Sequence, residues 1–234
     1  MTARCLDIGA VPLPGEGYMP LAAFTRPAAL APSGLFLLGQ GLSAAGRDYS
    51  PAGLDATVQG TLAAAGPGAV LGGVGGGYLQ TSVAETAAMT LLALVKLSPG
   101  TSAAPIITNY GASPGASLYA DANGQAVRLS AGGLGVIGLV VPANQWILVA
   151  ARIPATGAAR IENIGAGTSA TTTATTGRVV TGSAMRIGGA YTSTLTGSSA
   201  GILAGIYSDY MSDFDLARES AWAAAYAATL GIDI

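Results

Sequence analysis

The chain has 234 residues, of which 10 are Lys or Arg, 12 are Asp or Glu and none is His, giving a formal net charge of −2. So few basic side chains exclude the electrostatic footprint of a nucleic-acid-binding protein. The absence of His and the presence of a single Cys remove the groups on which most acid–base and nucleophilic mechanisms depend, so the composition predicts a protein that is not an enzyme.

The N-terminal 30 residues are rich in proline and show no hydrophobic periodicity. Their prolines are Pro12, Pro14, Pro20 and Pro27. Each proline lacks a backbone donor and disfavours a helical conformation in the residue before it. We therefore expect an extended arm over residues 1–30 and a single domain over residues 31–234.

Targeting signals are not evident in the sequence. The first 17 residues lack the basic, apolar and small-residue regions of a secretory signal, so we expect synthesis in the cytoplasm without a signal peptide. The best candidate for a membrane span, residues 131–151, is uncharged, but Pro142 and Asn144 interrupt it and divide it into two strand-length pieces. We therefore predict no membrane span.

From residue 35 onward, short apolar runs alternate with Gly, Ser, Asn and Pro, which is typical of many strands joined by tight turns. The glycine-dense segment 53–77 predicts a loop around one or two weak strands, and the polar segment 165–182 a connection with one exposed strand. The remaining predicted strands cover residues 78–81, 90–97, 105–109, 117–120, 125–130, 135–141, 146–152, 160–164, 184–188 and 201–207.

Two of these strands carry more specific information. Residues 90–97 carry apolar side chains on both pleat faces, which predicts a central strand that is covered on both sides. Between the strands at 117–120 and 125–130 lies Asp121-Ala-Asn123-Gly124, whose Asn-Gly pair predicts a type I′ hairpin turn.

One helix is predicted near the end of the sequence, over residues 216–230. Ser212 to Asp215 resembles a capping box, and Gly231 is the residue expected just beyond a helix C-terminus. The predicted buried face consists of Phe214, Ala217, Ala221, Trp222, Ala225 and Thr229. This face packs on the domain as a cap or, alternatively, binds a partner.

Candidate binding residues lie at strand ends and in loops. Several tyrosines occupy such positions, from which aromatic faces can stack on sugars or on protein partners. They are Tyr110, Tyr119, Tyr191, Tyr207 and Tyr210. Calcium requires only oxygen ligands, so Asp48, Asp121 and Asn123 are the candidates for a metal site.

The order of several segments resembles the concanavalin A-like, laminin-G-like jelly-roll domains over residues 35–234. These segments are Tyr78-Leu79, the strand 90–97, Trp146-Ile-Leu-Val-Ala150, Met185-Arg-Ile187-Gly188-Gly189 and the run from Gly201 to Tyr207 that precedes the helix. The resemblance implies an all-β fold, a two-sheet antiparallel jelly-roll sandwich with one short C-terminal helix.

The resemblance also implies carbohydrate binding by the concave sheet or its rim loops, in some members with calcium. The residues of this chain expected to contact carbohydrate are Asn109, Tyr110, Asp121, Asn123 and Tyr191. The chain departs from the family at Ile164, which intervenes before Gly165, and it lacks the acidic motif of the related glucanases. Catalysis is therefore not implied, and no cofactor is expected apart from the calcium alternative.

Low charge, the proline-rich arm and a Ser/Thr/Gly-rich composition also resemble phage virion proteins. The leading hypothesis is a non-enzymatic binding module on a virion or phage-like particle that forms homo-oligomers and recognises surface polysaccharide. In the alternative hypothesis the protein is purely architectural and binds no ligand, and its N-terminal arm binds neighbouring virion proteins. A third hypothesis, a glycoside hydrolase or lyase, requires a carboxylate pair or a tyrosine-based cluster in one groove.

Overall fold

The computed structural model describes residues 30–72, 76–111, 115–174 and 177–234. These residues form fifteen strands in two antiparallel sheets and one C-terminal α-helix. The predicted all-β, two-sheet antiparallel sandwich with a short C-terminal helix is therefore confirmed. The predicted arm lies outside the described residues except for Leu30.

The larger sheet has eight strands. In spatial order they are β13 (Thr168–Thr171), β12 (Arg160–Asn163), β11 (Trp146–Ile153), β6 (Met89–Leu97), β15 (Ser198–Tyr207), β4 (Gly68–Gly72) and β3 (Ala63–Ala65), with β1 (Gly34–Leu37) also beside β15. Strand β15 pairs with β6 along one edge, while β4 and β1 share its other edge.

The smaller sheet has seven strands. In spatial order they are β10 (Leu134–Val140), β9 (Ala126–Ala131), β8 (Ser117–Ala120), β7 (Ala104–Thr108), β14 (Ala184–Ile187), β5 (Tyr78–Ala84) and β2 (Thr57–Gln59). The strands predicted over residues 78–207 all exist, with ends shifted by a few residues. Strands β1 to β4 have only three to five residues each, and β3 and β4 consist largely of Gly and Ala, so the sequence defines these strands poorly.

Strand β6 separates two hydrophobic cores, as its two apolar faces predicted. Its odd-numbered residues from Leu91 to Leu97 pack between the sheets, whereas Leu92 and Leu94 pack on the opposite side, beneath the helix. A β-bulge at Ile202 of β15 places both Ile202 and Leu203 on the helix side. The larger sheet is thus covered on both faces.

Helix α1 (Asp213–Thr229) begins three residues before the predicted range 216–230, directly after the serine of the predicted capping box, and ends one residue before the end of that range. Ser212 is the N-cap, and its hydroxyl oxygen accepts a hydrogen bond from the backbone N–H of Asp215 at 3.0 Å. At the other end Gly231 has φ +72°, and its N–H donates to the carbonyl of Ala228 at 3.1 Å. In the described part of the chain, no helix is long and apolar enough to span a membrane.

The predicted buried face of α1 is wrong. Phe214, Ala217, Ala221, Ala225 and Thr229 are exposed, and of the predicted set only Trp222 is buried. The buried side chains are Leu216, Glu219, Ser220, Trp222, Ala223, Tyr226 and Ala227. Glu219 can be buried because its carboxylate accepts a hydrogen bond from the Tyr207 hydroxyl at 2.7 Å. A polar residue therefore lies on the buried face, where the hydrophobic pattern predicts an apolar one.

The hairpin between β8 and β9 is confirmed, but its predicted turn type is wrong. Gly124 has φ +63°, whereas Asn123 does not have the positive φ that a type I′ turn requires. The N–H of Gly124 donates to the carbonyl of Asp121 at 3.1 Å, closing a four-residue turn. The Asp121 carboxylate selects this longer loop by accepting hydrogen bonds from the N–H groups of Gln125 and Ala126.

Candidate binding site

Strand alternation on the smaller sheet creates a polar and aromatic outer face. Leu79 of β5 and Ile187 of β14 point into the sandwich core. Their neighbours Gln80 and Arg186 therefore point outward, and the two residues lie opposite each other in the ladder. Part of this outer face is covered, because Thr108, Ser117 and Ser130 of the neighbouring strands are buried there. Gln80 and Arg186 lie in the part of the face that stays partly exposed.

Arg186 lies at the centre of this face between two aromatic rings. Its guanidinium carbon is 3.5 Å from the ring centroid of Tyr191 and 4.8 Å from that of Tyr78. Its Nε donates to Gln80 Oε1 and its Nη1 donates to the carbonyl of Ala190, both at 2.7 Å. Cation–π contacts and two hydrogen bonds thus fix the guanidinium in one orientation.

Tyr191 is held by its hydroxyl and its backbone while its ring stays 41% exposed. The hydroxyl donates to the carbonyl of Ala184 at 3.1 Å and accepts from Gln80 Nε2 at 3.2 Å. The backbone N–H donates to the carbonyl of Tyr110 at 2.7 Å. Tyr191 therefore presents an aromatic surface whose position is already fixed.

Tyr110 extends the surface across β8 toward β9. Its ring lies edge-to-face on Tyr119, with 6.5 Å between the ring centroids and an interplanar angle of 62°. Burial raises the pKa of Tyr119, while the positive charge of Arg128, its partner in the β8–β9 ladder, opposes that shift. We call this surface the tyrosine–arginine platform; it consists of Tyr78, Gln80, Tyr110, Tyr119, Arg128, Arg186 and Tyr191.

The platform carries two positive charges and no described negative one. Among the residues that the structure describes, neither Arg128 nor Arg186 forms an ion pair with a carboxylate. Arg186 uses its Nε and Nη1 groups internally, which leaves Nη2 available to a ligand. The arrangement suits a ligand that combines flat apolar faces with anionic oxygens.

The structure places two of the five predicted carbohydrate contacts in the platform, Tyr110 and Tyr191. Asn109 lies beneath it, buried, where its Nδ2 donates to Glu85 Oε2 at 2.8 Å and to Thr181 Oγ1 at 2.9 Å. It supports the loop that leads to Tyr110 and does not reach the surface.

The other predicted contacts, Asp121 and Asn123, occupy the turn that follows β8, and no described contact joins them to the platform. Four platform residues were not predicted from the sequence as site residues: Tyr78, Gln80, Arg128 and Arg186. Their alternation with buried residues along β5, β9 and β14 is the signal that marks them as outward-facing.

The calcium candidates have structural partners. Both carboxylate oxygens of Asp48 accept hydrogen bonds. The donors are the N–H groups of Ser50 and Leu54 and the Ser50 hydroxyl within its loop, and the N–H of Leu35 in β1. Asp121 accepts two from its own turn. Among the described residues, no three Asp, Glu or Cys side chains come together to form a metal site. Calcium binding stays a prediction.

A second concave surface lies between α1 and strands β12 and β13. This groove has a volume of about 610 Å³, and Glu162 and Asp213 are its acidic residues. Both carboxylates pair with the buried guanidinium of Arg152, which holds the pKa of Asp213 below its ordinary value. The general acid of a glycosidase is a carboxyl group with a raised pKa. The lowered pKa of Asp213 is the opposite of what that role requires.

Comparisons with known proteins identify structural neighbours only. No family model matches the chain, and no curated protein matches it significantly. The fold is similar to the receptor-binding domain of botulinum neurotoxin D, with a TM-score of 0.58 and 12% identity over 81% of this chain. It is also similar to the type G receptor-binding domain, with a TM-score of 0.56 and 13% identity over 84% of this chain.

The match to a C/D mosaic serotype is comparable, with a TM-score of 0.55 and 12% identity over 80% of this chain. The chain spans only about half of each neighbour, with 52%, 51% and 50% of those chains covered. At this identity the similarity establishes a shared β-sandwich fold and nothing finer.

Proposed function

We propose that this chain is a non-enzymatic binding domain that recognises acidic polysaccharide with the tyrosine–arginine platform. The observation that carries the proposal is the exposed Tyr191 ring stacked on Arg186, a guanidinium that lacks a carboxylate partner among the described residues. Pyranose rings offer C–H faces to aromatic rings, and carboxylate-bearing sugars offer planar acceptors to guanidinium groups.

Rigidity of the platform also supports a binding role. Arg186 and Tyr191 are each held by at least two hydrogen bonds before any ligand arrives. A ligand would therefore bind without first ordering these side chains, which lowers the entropic cost of association. The neighbours are themselves named receptor-binding domains, which agrees with a binding role here.

The finer parts of the proposal rest on sequence. The resemblance to concanavalin A-like domains supports saccharide as the ligand class, and calcium is the cofactor that this resemblance would add. The low charge and the Ser/Thr/Gly-rich composition support a location on a virion or phage-like particle, where the ligand is a host surface polysaccharide.

The test is a binding titration with defined oligosaccharides. Purified protein is titrated with oligogalacturonate and with neutral galactan fragments of equal length, at low and at moderate salt. We expect binding of the acidic chain at micromolar to millimolar concentration, weakened by salt because the guanidinium contacts are partly exposed. Addition of calcium or of a chelator to the same titration tests the cofactor.

Matched variants locate the site. Arg186→Met should weaken binding of the acidic chain at least tenfold, whereas Arg47→Met, which removes an exposed arginine lying over Tyr49, should leave it unchanged. Equal unfolding midpoints of the two variants establish that the fold is retained. Absence of binding to acidic and neutral saccharides alike would favour the purely architectural alternative.

A further inference from the structure

Strand β10 is an edge strand with an exposed apolar outer row. Val136 and Val140 are 58% and 82% exposed, and Gly138 lies between them. The inner row contains Ile137 and Leu139, which pack toward the sandwich core. An uncharged apolar strand at the edge of a sheet is a template for pairing with another chain.

Two of the usual protections of an edge strand, charged residues and proline, are missing from β10. No charged residue occurs from position 129 to position 151, and β10 contains neither Lys nor Pro. At seven residues β10 is longer than the other edge strands, since β2 and β3 have three residues each and β13 has four. In the described part of the chain, β10 pairs only with β9.

The sequence of β10 is self-complementary in one antiparallel register. When two copies are paired about Gly138, Val136 of each copy lies opposite Val140 of the other, and Ile137 lies opposite Leu139. The two glycines meet at the twofold axis, where the absence of a side chain permits close approach. A strand pair of this kind is isologous and closes after two subunits.

We propose that β10 mediates homodimerisation by antiparallel pairing with β10 of a second copy, in the register centred on Gly138. Pairing joins the two seven-stranded sheets into one continuous sheet. The β-bulge between Leu134 and Ile137 limits the regular ladder to residues 136–140. The exposed Val179, whose N–H donates to the carbonyl of Gly132, extends the apolar surface beside the start of β10.

The pairing also places two platforms on one surface. Arg128 lies one strand from β10, so the two Arg128 residues of a dimer are separated by three strand spacings, about 14 Å. This distance exceeds the Debye length of about 8 Å at physiological salt, so repulsion between the guanidinium groups is screened. A five-residue ladder buries less than the roughly 1,600 Å² of a standard interface, so we expect a weak dimer.

Disulfide trapping tests the register. In a Cys5→Ser background, the double variant Val136→Cys/Val140→Cys places cysteines opposite each other in the proposed dimer. In either single variant, the two cysteines lie four residues apart along the strands, about 13 Å, beyond the roughly 7 Å limit for a disulfide. We expect covalent dimer from the double variant and none from the single variants under mild oxidation.

Sedimentation velocity at increasing concentration tests association without crosslinks. The unmodified chain should show a reversible dimer at high micromolar concentration. Val140→Lys should weaken it at least tenfold because two charges would enter the ladder, and Leu54→Lys, at an exposed apolar residue outside β10, should have no effect. The proposal would be overturned if the unmodified chain were monomeric at every concentration, or if Val140→Lys and Leu54→Lys weakened dimerisation equally. Efficient crosslinking of the single cysteine variants would also overturn it.

Discussion

The carboxylate of Glu85 and the guanidinium of Arg178 form an ion pair in which both side chains are completely excluded from solvent. The same carboxylate accepts hydrogen bonds from the N–H of Ala116, the N–H of Thr181 and Nδ2 of Asn109. The pair therefore anchors the segment before β14 to the ends of β5, β7 and β8, beside the platform.

Loss of the Glu85 charge should destabilise the domain. Glu85→Gln keeps the side-chain volume but leaves Arg178 buried and unpaired, a change that costs about 3–5 kcal/mol in other proteins. Urea unfolding followed by circular dichroism measures the loss. The control is Asp233→Asn at an exposed position, which should change stability by less than about 0.5 kcal/mol. Substitutions that are tolerated cost at most about 1 kcal/mol. A Glu85→Gln variant whose free energy of unfolding lies within that margin of the unmodified chain would contradict this prediction.

The Tyr191 ring should matter more for ligand binding than its hydroxyl. Tyr191→Phe keeps an aromatic face on Arg186 and loses only the bonds to Ala184 and Gln80, so affinity for acidic oligosaccharide should fall by no more than about threefold. Tyr191→Ala removes the stacking surface and should weaken binding at least tenfold. Calorimetric titration of both variants distinguishes these effects, and equal affinities would exclude Tyr191 from the site.

Tyr226 should make stability depend on alkaline pH. Burial raises the pKa of Tyr226 from 10.0 to about 12, so in the range between these values the folded state keeps a proton that the unfolded chain releases. This stabilisation is complete below pH 10 and is lost as the pH rises toward 12, a change on the order of 2 kcal/mol. Tyr226→Phe should flatten the decline in unfolding free energy between pH 9.5 and 11.5, and parallel curves for the two proteins would argue against it.

The helix N-cap should contribute measurably to stability. Ser212→Ala removes the acceptor for the Asp215 N–H and should cost about 1 kcal/mol. Thr229→Ala, at the exposed C-terminal end of the same helix, serves as the comparison: it removes a hydroxyl that donates to the carbonyl of Tyr226 at 2.7 Å but caps no free N–H, so it should cost less than half as much. Thermal denaturation of the two variants side by side provides the measurement, and a larger effect at Thr229 would refute the capping argument.

Local signals in the sequence were sufficient for most of the sheet and for the helix ends. The apolar run of β6 predicted a strand buried on both faces, because only a central strand between two cores tolerates consecutive leucines. The capping serine and Gly231 fixed the limits of α1 because each satisfies backbone groups that the helix leaves free. These are short-range effects, and neighbouring residues decide them.

Features that depend on distant partners were not predictable in the same way. Alanine is too weakly hydrophobic to mark a buried face, so the orientation of α1 depended on Tyr207, which accommodates Glu219. The platform combines Tyr78, Tyr119 and Arg186 from strands far apart in the sequence. Alternation shows that each points outward, but only the strand order brings them together.

The position of β15 has a consequence for how the protein is made. Strand β15 pairs with β6 on one edge and with β1 and β4 on the other. None of these three pairings can form until residues 198–207 have been synthesised. Until then, the backbone groups of β1, β4 and β6 that bond to β15 in the native sheet have no partner strand. Because this pairing joins segments far apart in the sequence, we expect folding to be slow and the apolar strand β6 to be prone to aggregation until β15 is in place.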